Sequence, residues 1–111
     1  MMTPDEFRTM ALGFAESAQG SHFDVTDFRV RNRIFATLRE RDGRAVLKLS
    51  PDEQQLLMAT SPEIFETIKG GWGQKGWTKV LLSRADDATV HHAMKMAWRS
   101  VAPANLVRAC S

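Results

Sequence analysis

A single cysteine, Cys110, stands near the end of the 111-residue chain, so no internal disulfide can form. No apolar run approaches the roughly 18–20 residues that a bilayer span needs, which excludes a transmembrane helix and predicts no membrane partner. The opening MMTPDEFRTM lacks the basic and apolar regions of a secretory signal. Together these absences predict a cytoplasmic protein. What remains is ordinary for a globular chain, 43% hydrophobic and 25% charged. The length suits one hydrophobic core rather than two, hence a single domain over residues 1–111.

The spacings that carry chemistry are missing as well. His91 and His92 are adjacent, so on a helix they project about 100° apart and cannot share one metal ion as an i, i+4 pair does. His22 is distant from both. No histidine stands at a familiar spacing from a serine or cysteine nucleophile. The carboxylate pairs Asp52-Glu53 and Asp86-Asp87 fall at helix starts, where capping and the helix dipole account for them. The residues therefore predict no metal and no catalytic group. One stretch, KGGWGQKGWTKV (Lys69 to Val80), has the look of a phosphate loop. It lacks the Lys-Ser/Thr ending of a Walker loop, and although Gly71 to Gly76 spell GxGxxG, a strand is predicted where a helix should start. The expected structure is a turn-rich connection with Trp72 and Trp77 buried as anchors and Lys75 at its tip.

Local signals predict the elements. Thr3, Pro4 and Glu6 form a capping box for a first helix with Phe7, Met10, Ala11 and Phe14 on its apolar stripe. Ser50, Pro51 and Glu53 repeat the box for a helix with Leu56 and Leu57 inward, and a helical turn is expected from Ser61 to Phe65. Asp86 or Asp87 starts a long helix with Val90, Met94, Ala97, Trp98 and Val101 inward, and Pro103 ends it ahead of a short helix around Leu106. Between the first two helices, Asp42-Gly43 predicts a two-residue hairpin turn pairing Arg41 with Arg44. That register sets Leu38 opposite Leu47 and Ala36 opposite Leu49. It leaves Thr37, Arg39, Arg41, Arg44 and Lys48 outside, with Phe35 and Val46. The preceding hairpin reads as a three-residue loop, Arg31-Asn32-Arg33, pairing Val30 with Ile34 and Phe28 with Ala36. The order of helices and strands indicates an α+β domain, a mainly antiparallel sheet with helices packed on one face.

Charge is segregated along this frame. Residues 29–48 carry six arginines and Lys48 against Glu40 and Asp42, a net of +5. Residues 69–84 carry Lys69, Lys75, Lys79 and Arg84 with no acidic residue, a net of +4. Acidic stretches separate the two. A basic sheet face with arginines at a hairpin tip suits phosphate contacts, and Phe35 or Trp72, if exposed, would offer a stacking surface.

The motifs SHFDVTDFRVRNRIFATL, VLKLSPDEQQLL, GGWGQKGWTKVLL and AWRSVAP, in that order, resemble the MmcQ/YjbR family of small bacterial proteins. The resemblance spans nearly the whole chain. It implies an α+β fold with a double-wing arrangement, DNA binding, and no cofactor, metal or established catalytic residue. The family's HF, IFA, LKL and WGxxGW elements correspond to His22-Phe23, Ile34-Phe35-Ala36, Leu47-Lys48-Leu49 and Trp72 to Trp77. Relatives often carry glycine at the first hairpin tip, where this chain has Arg31-Asn32-Arg33.

The expected function is thus non-enzymatic DNA binding through basic hairpin wings. Arg29, Arg31, Arg33, Arg39, Arg41, Arg44 and Lys48 would contact phosphates, assisted by Lys75 and Lys79. The alternative is a protein-interaction or small-anion or nucleotide-binding module using the same face. An enzyme would need a pocket joining His22 to carboxylates.

Overall fold

The computed structural model describes residues 1–110; Ser111, the last residue of the expected domain, lies outside the described residues. Helix α1 (Pro4–Leu12) leads into strands β1 (Ala18–His22), β2 (Val25–Val30), β3 (Arg33–Arg39) and β4 (Arg44–Lys48). Helix α2 (Pro51–Thr60), strand β5 (Phe65–Thr67), the one-turn helix α3 (Gly71–Gln74) and strand β6 (Trp77–Val80) follow. Helices α4 (Asp87–Val101) and α5 (Ala104–Cys110) complete the chain. The six strands form one antiparallel sheet in the order β1-β2-β3-β4-β6-β5. Among the described residues, no helix is long and apolar enough to cross a membrane.

The helices begin where their caps dictate. The Thr3 hydroxyl accepts from the Glu6 amide at 3.1 Å while the Glu6 carboxylate accepts from the Thr3 amide at 2.8 Å. Ser50 and Glu53 repeat the exchange at 3.1 and 2.9 Å, and Asp86 accepts from the Thr89 amide at 2.8 Å. Each cap is worth about 1 kcal/mol. Helix α4 crosses the sheet at β2, β3 and β4, and Val90, Ala93, Met94, Ala97, Trp98 and Val101 are buried beneath it. Helix α1 packs on the same side, with Phe7 edge-on to Phe28 at 6.3 Å. The Trp98 indole N–H, which cannot stay unpaired when buried, donates to the Ala15 carbonyl at 3.0 Å. The result is an α+β layer pair with one sheet face covered.

Both hairpins depart from the expected register, each for a local reason. The β3–β4 connection holds four residues, not two: Glu40–Asp42 form a 3-10 turn closed by Gly43 at φ +66°, so Arg39 pairs with Arg44. Leu38 therefore faces Ala45, and Ala36 faces Leu47. The slip is two residues, which keeps the side chains of residues 36–39 and 44–48 on their expected faces. Only Arg41 leaves the face, for the turn. At the β2–β3 connection, Arg31 (φ +49°) and Asn32 (φ +69°) make a two-residue turn, placing Arg29 opposite Ile34. Phe28 nevertheless faces Ala36 as expected. A bulge reconciles the two, with Phe35 as the extra residue. It turns Phe35 into the core, fully buried and edge-on to Phe14, and puts Ile34 on the outer face. Phe35 is thus lost as a stacking surface.

Further expectations are corrected. Strand β1 is additional, and the turn from Ser61 feeds strand β5 at Phe65. In α2 it is Gln54 and Leu57 that are buried, while Leu56 is exposed. The glycine-rich stretch itself coils into α3 before β6 begins. His91 is exposed, though stacked on Phe14 at 5.2 Å.

Candidate nucleic-acid interface

The sheet face opposite α1 and α4 carries both basic stretches. Val46 on β4 stands between Thr37 on β3 and Lys79 on β6. In the neighbouring rows Arg39 faces Arg44, and Lys48 faces Trp77. Arg39, Arg44 and Lys48 of the first basic stretch and Lys79 of the second therefore share one surface.

Five of the nine expected phosphate contacts are already engaged. Arg29 holds Asp27 with two hydrogen bonds, 2.8 and 2.7 Å, over the bare backbone of Gly20. Arg31 reaches Glu16 at 3.0 Å, Arg39 reaches Asp42 at 2.7 Å, and Arg41 lies 3.3 Å from Asp24. Lys79 lies 3.6 Å from Glu66. Arg33, Arg44, Lys48 and Lys75 have no ion-pair partner among the described residues. Arg44 and Lys48 point from the middle of the outer face, Arg33 sits beside the β2–β3 tip, and Lys75 follows α3. The tips bearing Arg31 and Arg41 lie at opposite ends of β3, about 20 Å apart at ~3.3 Å per residue. The field of the face is therefore centred on Arg44 and Lys48.

The engaged carboxylates respond to their partners. Hydrogen bonds from Arg39 hold Asp42 below the usual range, and hydrogen bonds from Arg31 do the same for Glu16. A carboxyl that binds its proton less readily when folded lends stability above its unfolded pKa, and that stability is lost as pH falls through the folded value. Thermal unfolding measured from about pH 6 to about pH 3 should show Tm falling below about pH 4.5. Asp42→Asn should lower Tm at pH 6 and reduce the acid-induced fall.

Beside Arg44 the face is hollowed. Ile34, Val46, Ile68, Trp72 and Trp77 line an open cavity of about 310 Å³, with Thr37 and Arg44 at its polar edge. Trp77 is half-buried; Trp72, expected as a buried anchor, is 64% exposed. The rings meet edge-on at 5.5 Å. Their placement depends on α3, which lies so close to its neighbours that side chains are excluded. A Cβ on Gly73 would stand 1.8 Å from the Ile68 carbonyl oxygen, and one on Gly76 would stand 1.9 Å from that of Leu49. Gln54 fastens this segment from α2. Its side-chain amide donates to the Gly73 and Trp77 carbonyls, both at 3.1 Å, and to the Thr78 hydroxyl at 3.0 Å. Gln54→Leu keeps the bulk and removes the donors, an expected loss of about 1–3 kcal/mol. Thermal melting should report it as a Tm drop of about 4–8 °C per kcal/mol.

The YjbR family model matches residues 12–100. The chain belongs to the YjbR family. The matched segment runs from the end of α1 to the last turn of α4, taking in the whole sheet. The YjbR fold recurs in the crystal structure of the Deinococcus radiodurans protein DR2400, described with a DUF419 domain. That chain is 20% identical, the match covers 88% of this chain and 77% of that one, and the TM-score is 0.67. At that identity the likeness speaks for the fold alone. No functionally curated protein matches this YjbR chain.

Sequence reasoning missed two features of this YjbR surface. Gln54 reads as one more polar helix residue, and only the paired glycines of WGxxGW hint that something must hold that segment. The second is a separate cationic hollow of about 460 Å³ on the helical side, where His92, Lys95 and Arg99 of α4 meet Ser50 and Glu53. It contains a carboxylate and no tryptophan or phenylalanine, and it faces away from the sheet surface.

Proposed function

We propose that this YjbR chain is a non-enzymatic DNA-binding protein that grips phosphates with the outer face of its sheet. The observation that carries this reading is the pairing of Arg44 and Lys48 on one open face with no carboxylate partner among the described residues. Lys75 extends the field, and Arg33, paired with the core-facing Val30, adds a charge at the hairpin tip. Arg29, Arg31, Arg39, Arg41 and Lys79 serve first to hold the hairpins to their neighbours, so phosphate contacts number about four rather than nine.

Fluorescence anisotropy with labelled DNA across a salt series tests the reading. Log affinity should fall linearly with log salt, with a slope of roughly −3 to −4 for about four contacts at about −0.7 to −0.9 each. Undetectable binding at low salt, or affinity independent of salt, contradicts it.

A further inference from the structure

We infer that the hollow beside Trp72 is a site for one unpaired nucleobase with its phosphate turned towards Arg44. The inference rests on the DNA-binding reading for the source of that base, a single strand, and on the hollow alone for its chemistry. The volume, about 310 Å³, sits at the low end of the roughly 300–1,000 Å³ of small-ligand sites. Its floor is apolar, from Ile34, Val46 and Ile68. Its wall is the exposed indole of Trp72, set at 73° to Trp77. Because the two tryptophans meet edge to face, neither satisfies the outer face of Trp72 by parallel stacking. A planar ring can.

Charge selects among planar ligands. Among the described residues no carboxylate lines the hollow and none pairs with the cation at its edge, Arg44, with Lys48 opposite Trp77 in the next row. An aromatic ring bearing an anionic group complements both parts, as in the stacking platforms of single-strand binders. Geometry excludes paired bases, which lie stacked inside a duplex and cannot enter a recess in a sheet. The platform is also held in advance. The close approach of Gly73 and Gly76 and the three hydrogen bonds of Gln54 fix α3, so Trp72 needs no rearrangement to receive a ring.

The test measures binding of a labelled oligothymidylate, a duplex of equal length and an abasic single strand to the wild type and to Trp72→Ala. Trp72 is mostly exposed, so the variant should fold; circular dichroism checks this. The single strand should bind at least about tenfold more tightly than the duplex and should quench tryptophan fluorescence. Trp72→Ala should lose roughly tenfold on the single strand, matching the wild type on the abasic strand, while its duplex affinity and salt slope stay unchanged. If Trp72→Ala binds single strand and duplex as the wild type does, the inference is overturned, whereas salt-dependent binding would leave the DNA-binding reading standing. If thymidine monophosphate quenches Trp72 but no oligonucleotide binds, the base site is upheld and the DNA reading fails. If neither oligonucleotide nor monophosphate quenches, the base site is overturned.

Discussion

Gly76→Ala is expected to destabilise the protein by at least about 3 kcal/mol, the largest single-residue effect on this surface. Two costs combine. Gly76 holds φ at +102°, where an L side chain is strained by about 1–3 kcal/mol. The new methyl would also stand 1.9 Å from the Leu49 carbonyl oxygen, a backbone atom with no rotamer to escape into. That backbone cannot retreat freely, because the Leu49 amide donates to the Gly76 carbonyl at 3.2 Å and the Thr78 hydroxyl donates to the same oxygen at 2.8 Å. At about 4–8 °C per kcal/mol, Tm should fall by roughly 12 °C or more. Gly73→Ala meets a similar obstacle at the Ile68 carbonyl, although its φ is ordinary, so it isolates the steric part. Alanine at Gly70, which has open space around it, should be milder despite a φ of +88°. Equal effects at Gly70 and Gly76 would show that conformation, not close approach, sets the requirement.

The double change Arg44→Ala, Lys48→Ala is expected to abolish most DNA affinity at moderate salt while leaving the fold intact. Both residues are half-buried and, among the described residues, neither anchors an ion pair, so their loss removes charge without orphaning a carboxylate. The salt slope should flatten by about 1.4–1.8, two contacts at about −0.7 to −0.9 each. The engaged arginines behave differently. Asp27 is 3% exposed beneath Arg29, so truncating Arg29 strands a buried charge and costs stability before it reports on binding. The reverse change, Glu66→Gln, frees Lys79 and should steepen the slope by about one contact. A double variant with wild-type slope would remove the outer face from the account.

What was legible in the sequence was local. The capping boxes at Thr3 and Ser50, the Asp86 start and the buried stripe of α4 all depend on residues within one or two turns, and all formed as read. Face assignment in β4 and in β3 from Ala36 onward survived an error in turn length because the strand period is two. Other features needed partners far along the chain. Arg31 meets Glu16, Arg41 meets Asp24 and Lys79 meets Glu66 only once the hairpins and the sheet bring them together, so a run of arginines read as free charge. Strand β1, AQGSH, has no apolar alternation because it is an edge strand with little to bury. The bulge at Phe35 arises from competition between a two-residue turn and the need to bury a phenylalanine, which neither signal reveals alone. Trp72 is exposed because α3 rotates it out over Trp77, a consequence of glycines coiling where only a turn was visible.

The most direct test of the central claim is an amide and indole NMR titration of isotope-labelled protein with a short DNA strand. Binding by the outer sheet face predicts shifts concentrated at Arg44, Lys48, Lys75 and the Trp72 indole, weakening as salt rises. Shifts confined to His92, Lys95 and Arg99 on the opposite side, or no shifts at low salt, would contradict it.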